Sequence, residues 1–145
     1  MKKIKKIGVL TSGGDCGGLN AAIRSIFFRA KKKYKMEVYG IRNGTLGLIK
    51  RPLDVEKLSY KSFKGFLIKQ GGTFLGTNSK GNPFRFLQNG KYIDVTKKIA
   101  AAYKSLNLDC LIIIGGDGSM KILKKIADST DIKIVGIPKT IDNDV

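Results

Sequence analysis

The sequence predicts a three-layer α/β domain, a parallel sheet with helices on both faces. Three observations carry that reading. Apolar segments with strand character alternate with helical patterns along the chain, the order that builds parallel sheets through covered crossovers. Leu111-Ile112-Ile113-Ile114 is an unbroken run of large apolar residues, as a parallel strand buried on both faces requires. Two strand-to-helix junctions are rich in glycine, at Ser12-Gly13-Gly14-Asp15-Cys16-Gly17-Gly18 and at Gly115-Gly116-Asp117-Gly118-Ser119. Open α/β sheets build their sites at such strand ends.

Taken in order, residues 4–11 read as the first strand and residues 13–18 as a loop. A helix follows over residues 19–34, with Leu19, Ala22, Ile23, Ile26, Phe27 and Ala30 on one face. Residues 37–41 form a short strand, and residues 42–52 read as a loop with a turn at Asn43-Gly44. Residues 62–70 are expected to be helical, stopped by Gly71 and Gly72, and an irregular stretch runs to residue 89. Asp94 is placed to cap a helix reaching Leu106, with Val95, Ile99, Ala102 and Leu106 inward. The buried strand comes next, then a helix over residues 119–128 and a strand over residues 133–137. The polar segment Pro138 to Val145 follows where another element is expected, so the chain reads as cut.

Composition narrows the function classes. The 145 residues suffice for one domain with a core, and 42% are hydrophobic. No apolar stretch is long enough to span a bilayer, so no membrane partner is expected. There is no histidine and only two cysteines, Cys16 and Cys110, which excludes Ser-His-Asp and Cys-His catalysis and Cys/His metal sites within the chain. A reducing cytoplasm suits that cysteine usage. The formal charge of +17 attracts polyanions. The lysines are scattered over solvated helix faces, however, and no nucleic-acid recognition motif accompanies them, so a lysine-rich surface is the expectation and nucleic acid is not. A non-catalytic polyanion-binding module remains the alternative from another class.

The chemistry concentrates at the glycine-rich junctions. Gly115 and Gly116 let backbone approach a ligand closely, and Gly118 and Ser119 stand where a helix would turn free N–H groups and a partial positive charge toward an anion. Asp117 conflicts with a phosphate unless a cation bridges them, and Mg²⁺ resolves that conflict. The plain alternative is a turn in which Asp117 only caps a helix. The first junction has the Gly13 to Gly18 spacing of a Walker A loop, but Leu19-Asn20 replaces the Lys-Ser/Thr pair; it is not a GxGxxG loop either. It reads as a second anion cradle on the same rim, or as a tight structural turn. A third constellation, Gly71 to Gly81, offers hydroxyls, an amide and Lys80 to phosphate oxygens, and a glycine-rich surface loop explains it about equally well. Beyond the last strand, Thr140, Asp142 and Asp144 are two apart and face one way if extended, where a carboxylate can accept a hydroxyl proton. A polar turn with local Asx bonds is the alternative there.

Together these motifs resemble the 6-phosphofructokinase family. The likeness runs from Lys5-Lys6-Ile7-Gly8-Val9-Leu10-Thr11-Ser12-Gly13-Gly14-Asp15, through Gly71 to Gly76 and Gly115 to Ser119, to Thr140-Ile141-Asp142-Asn143-Asp144. The resemblance implies a phosphofructokinase-like fold in which residues 1–145 are the ATP-binding half, truncated before the sugar-phosphate domain. It implies phosphoryl transfer from ATP to the 1-hydroxyl of fructose 6-phosphate in glycolysis, with Mg²⁺ as cofactor and a homo-oligomer in the parent; the isolated half is expected to be inactive. By position, Gly13, Lys80, Gly81, Gly116, Asp117, Gly118 and Ser119 would contact the donor, and Asp117 would serve the metal. Asp142 and Gly118 would stand at the catalytic centre, Asp142 as general base, with Thr140, Ile141, Asp142 and Asp144 on the substrate side.

The chain departs from the family pattern in places. Ser79 falls where many bacterial relatives carry a phosphate-binding arginine, and Lys80 takes that role after a one-residue shift, as a point charge without a bidentate fork. Gly17 replaces a common proline, and Ile122 a nucleotide-side glycine. Pyrophosphate-using relatives often carry aspartate at the position of Gly118; glycine leaves room for a nucleotide α-phosphate and favours ATP. Lys139 resembles the lysine of pyrophosphate-dependent members and keeps that donor as the alternative.

Overall fold

The computed structural model describes residues 4–65, 67–78 and 81–140. Its central strand is β1 (Lys6–Ser12), followed by α1 (Leu19–Tyr34), β2 (Glu37–Ile41), α2 (Leu46–Ile49) and β3 (Val55–Lys57). The chain continues through β4 (Phe86–Gln88), β5 (Lys91–Ile93), α3 (Thr96–Ser105), β6 (Cys110–Gly115), α4 (Asp117–Ser129) and β7 (Ile134–Pro138). The main sheet has the order β3-β2-β1-β6-β7. β1 runs parallel to both β2 and β6, and β6 runs parallel to β7.

The alternation of side chains along the strands divides the core into two halves. On one face Ile7 and Val9 of β1 meet Ile23 and Phe27 of α1. On the other, Leu10 of β1 and Leu111 and Ile113 of β6 meet Ile99 and Ala102 of α3 and Leu123 and Ile126 of α4. Helices therefore cover both faces, and the expected three layers are present. The run 111–114 is nearly continuous in its burial, with only Ile112 half-buried, because β6 lies inside the sheet. Gly8 of β1 lets neighbouring side chains pack directly on the strand backbone: a Cβ there would stand 2.6 Å from Leu111 Cδ2.

Several elements differ from the sequence reading. The sheet is mixed at one edge, since β3 pairs antiparallel with β2, Val55 opposite Ile41 and Lys57 opposite Tyr39. Ion pairs from Lys57 to Glu37 and from Arg42 to Glu56 fasten that edge, at 2.8 and 2.7 Å. Strands of three residues carry too little periodicity to be read locally. Residues 62–70 do not form one helix; two 3-10 turns, Tyr60–Phe63 and Leu67–Lys69, replace it. There the buried side chain of Asn20 donates to the carbonyls of Leu67 and Gln70 and accepts from the N–H of Phe74, anchoring the segment by a tertiary contact. The stretch read as irregular contains β4, which pairs with β5 just beyond it as a hairpin, and the loop after β2 contains α2. The Asn43-Gly44 turn is as expected, with φ of 55° and 64°. α4 begins two residues earlier than expected, at Asp117.

α3 is held at its start as the sequence suggests, from one residue further out. Asp94 Oδ1 accepts from the hydroxyl of Thr96 at 2.6 Å and from its N–H at 2.8 Å, while Val95 is the residue flanking the helix. The hydroxyl first, and the N–H second, hold the Asp94 carboxyl below the usual carboxylate range. A lowered carboxyl stabilises the fold above its unfolded-state value, and that contribution disappears as pH falls through the folded-state value. Asp94→Ala should therefore cost about 1 kcal/mol near neutral pH, as cap deletions do. Parallel thermal melts should show the wild-type advantage shrinking once the pH drops below the ordinary aspartate range.

Candidate functional site

The connections from β1 and β6 leave the sheet in opposite directions. β1 leads through α1, on one face, to β2; β6 leads through α4, on the other face, to β7 on the opposite side. The carboxyl ends of β1 and β6, neighbours in the sheet, are thus a topological switch point, where such sheets open a crevice. A cleft of about 400 Å³ lies there. Ser12, Gly13 and Gly14 line one side of it, and Gly116, Gly118 and Ser119 the other.

Each wall has a local cause. Gly13 has a φ of +86°, a left-handed conformation that glycine adopts without strain, and this turns the chain out of β1. Across the cleft, Gly116 is the N-terminal flanking residue of α4, and Met120 N–H is the first donor to close back on it, at 3.0 Å to the Gly116 carbonyl. The N–H groups of Asp117, Gly118 and Ser119 have no intrahelical acceptor, and the positive end of the α4 dipole stands behind them. The walls are joined by Ser119 Oγ, which donates to Ser12 Oγ at 3.0 Å. No carboxylate is among the described lining residues, and Lys139 is. Such a wall, with free helix N–H groups, a lysine and no described carboxylate, can accept an anion.

Of the residues expected from sequence, Gly13, Gly81, Gly116, Gly118 and Ser119 are brought together around this cleft. Asp117 is at its rim, with the side chain 80% exposed and the carboxylate on Lys121 Nζ at 2.8 Å. That contact raises the Lys121 ammonium above its usual value. Thr140 follows Lys139 at the end of β7, where Lys139 N–H donates to the Gly115 carbonyl at 3.0 Å. Lys80, Ile141, Asp142 and Asp144 lie outside the described residues. The two threonine hydroxyls of the third constellation bond to the end of β1: Thr73 Oγ1 is 3.1 Å from Thr11 Oγ1, and Thr77 Oγ1 donates to the Gly13 carbonyl. Of the described residues of that segment, Asn78 and Gly81 line the cleft, with Asn82 just beyond. Asn78 is the amide that the sequence offered in that segment, and Ser12 opens the first glycine-rich junction; Asn82 was missed because a short polar residue beside a glycine resembles any turn. Ile122, a half-buried apolar residue one turn into α4, completes the wall.

Comparison with known proteins interprets this geometry. The family model for phosphofructokinase matches residues 6–145. The chain belongs to the phosphofructokinase family. It is 53% identical over 146 aligned positions to the ATP-dependent 6-phosphofructokinase 1 of Synechocystis sp., covering 100% of this chain and 40% of that one. A solved phosphofructokinase from Pichia pastoris superposes with a TM-score of 0.79 at 29% identity, over 99% of this chain and 16% of that one. A pyrophosphate-dependent phosphofructokinase from Marinobacter aquaeolei shares the fold at a TM-score of 0.73 and 22% identity, covering 97% of this chain and 34% of that one. The chain spans about 40% of the length of the curated phosphofructokinases it matches.

The rim of this phosphofructokinase fold is sensitive to added side chains at one place and tolerant at another. At Gly13 a Cβ would strain the backbone and stand 3.2 Å from Ser119 Oγ. Gly17, in the same loop, has nothing within 4 Å and no left-handed φ. Gly13→Ala should lose about 1–2 kcal/mol and Gly17→Ala essentially nothing. Circular-dichroism melts of the two variants should separate them by at least about 3 °C.

Proposed function

We propose that this chain is the donor-binding half of an ATP-dependent 6-phosphofructokinase. The longer protein transfers the terminal phosphoryl group of ATP to the 1-hydroxyl of fructose 6-phosphate. A bond forms between that oxygen and the γ-phosphorus as the bond to ADP breaks, and the hydroxyl proton passes to the general base. The observation that carries this reading is the anion-accepting cleft between the β1 and β6 ends, in a chain that matches the family from residue 6 to residue 145. Gly13, Lys80, Gly81 and Gly116 to Ser119 serve the donor; Asp142 serves as base beside Gly118 at the catalytic centre; Thr140, Ile141 and Asp144 support the sugar phosphate. The roles of Lys80, Ile141, Asp142 and Asp144 rest on their places in the sequence. The acceptor domain belongs to the remainder of the longer protein, which assembles as a homo-oligomer in the cytoplasm.

The residues present suit Mg²⁺. Asp117 is an exposed carboxylate on the first turn of α4, and no group of three ligand-type side chains occurs among the described residues. One carboxylate plus substrate phosphates and water is how magnesium is commonly held, whereas an all-protein cage is not. Asp117 would exchange Lys121 for the ion, which when bound would neutralise donor-phosphate charge. Among the described residues no helix is long and apolar enough to cross a membrane.

Gly118 supports ATP as donor, because nothing lies within 4 Å of the position a Cβ would take. Lys139 favours the second reading, pyrophosphate, since it is a cation lining the same cleft. Gly118→Asp separates the two without disturbing the fold, as the new carboxylate meets only cleft space and suits a helix N-terminus. In the longer protein this change should raise the KM for ATP at least about tenfold, the effect of about 1.4 kcal/mol of repulsion. Parallel assays with both donors decide the matter, and preferential use of pyrophosphate by the wild type would overturn the ATP assignment.

Asp142 is a separate test of the chemistry. Asp142→Asn keeps size and removes the proton-accepting charge, so in the longer protein kcat should fall by about 10²–10⁴-fold. The KM for ATP should stay within a few-fold, because other residues hold the donor. Near-normal turnover would remove Asp142 from the role of base. Without the acceptor domain to orient the hydroxyl, the 145-residue chain should turn over negligibly with or without the change.

A further inference from the structure

The segment from Gly71 to Asn78 returns to the end of β1 and grips Gly13 on both of its polar groups. Gly13 N–H donates to the Asn78 carbonyl at 3.3 Å, and the Gly13 carbonyl accepts from Thr77 Oγ1 at 2.6 Å. The second contact has a consequence one residue further on. In a trans peptide the carbonyl of one residue and the N–H of the next point to opposite sides of a rigid plane. Holding the Gly13 carbonyl toward Thr77 turns the Gly14 N–H away from Thr77. Gly14 lines the cleft, Thr77 does not, and among the described residues the Gly14 N–H has no acceptor.

We propose that Thr77 is a positioning residue of the donor cleft, its hydroxyl aiming the Gly14 N–H at a phosphate of the bound donor. The inference rests on the reading of the cleft as a donor site. Attachment of the segment to the sheet does not require Thr77, because Thr11 Oγ1 already donates to the Gly76 carbonyl at 2.9 Å and pairs with Thr73 Oγ1 at 3.1 Å. What the Thr77 contact adds is control of one peptide plane between two glycines. Glycine has no Cβ to restrict rotation, so that plane is free to turn unless it is tied. The Gly13 N–H is tied to the Asn78 carbonyl at 3.3 Å, and Thr77 ties the carbonyl on the other side of the residue.

The test compares Thr77→Val, which keeps the shape and removes the hydroxyl, with Thr77→Ser, which keeps the hydroxyl. Calorimetric titration of Mg-ATP into the chain should give about tenfold weaker binding for valine, as loss of a hydrogen bond that leaves its acceptor unpaired commonly does. Serine should bind within twofold of wild type. In the longer protein the valine variant should raise the KM for ATP while kcat changes less than twofold, a split that a general loss of stability would not produce. In the wild-type chain, the Gly14 amide resonance should be among those most shifted by Mg-ATP, a measurement that does not depend on any variant folding. An unshifted Gly14 amide, or valine and wild type binding alike, would overturn the role of Thr77 while leaving the donor site standing. Failure of the wild type to bind Mg-ATP at all would overturn both.

Discussion

At their carboxyl ends β1 and β6 pair Ser12 with Gly115, and the backbone there leaves no space for a side chain on the glycine. A Cβ on Gly115 would stand 2.7 Å from Ser119 Cβ and 3.1 Å from the Ser12 carbonyl oxygen. This close approach lets the first turn of α4 sit directly over the strand end, and it brings Ser119 within hydrogen-bond reach of Ser12. Two glycine-rich junctions far apart in sequence become the facing walls of one cleft. Residues from both walls then line the same cleft, which neither junction achieves alone.

The rest of the domain supports that junction. α1 covers one side of β1 with Ile23 and Phe27, both fully buried, while α3 and α4 cover the other with Ile99, Leu123 and Ile126. Because both faces of the sheet are filled, the strand ends cannot shift relative to one another without opening packed contacts. The segment 71–78 adds a third support from the rim, joined to Thr11 and Gly13 by side-chain and backbone hydrogen bonds. Its threonines act on the architecture of the cleft more than on its contents.

Charge follows the same division. The protein is strongly basic, at +17, yet the described cleft wall holds only Lys139 as a cation. The lysine-rich surface supplies a broad attractive field for anions, while the free backbone N–H groups and the α4 dipole give the cleft its local positive character. Asp117 is kept outside the wall on Lys121, so its negative charge does not oppose an anion in the unliganded cleft.

The sequence by itself determined the layer order, the central strands, α1, and the two glycine-rich cradles. Those features depend on local period and on glycine at strand ends, which are written in adjacent residues. The run 111–114 declares a strand buried on both faces, and the spacing of Leu19, Ile23, Phe27 and Ala30 declares one helix face. Tertiary structure alone decided the antiparallel edge strand β3, the β4–β5 hairpin and the replacement of a helix over residues 62–70 by two 3-10 turns. Each of these is short; β3 and the 3-10 turns are held by partners distant in sequence, Glu37 for Lys57 and Asn20 for Leu67 and Gln70, and the hairpin strands, of three residues each, show no period to read. The direction of the third glycine-rich segment was decided in the same way. Thr73 and Thr77 carry the same hydroxyl whether they face a ligand or the end of β1, and only the packing of residues 71–78 against Thr11 and Gly13 selects the second.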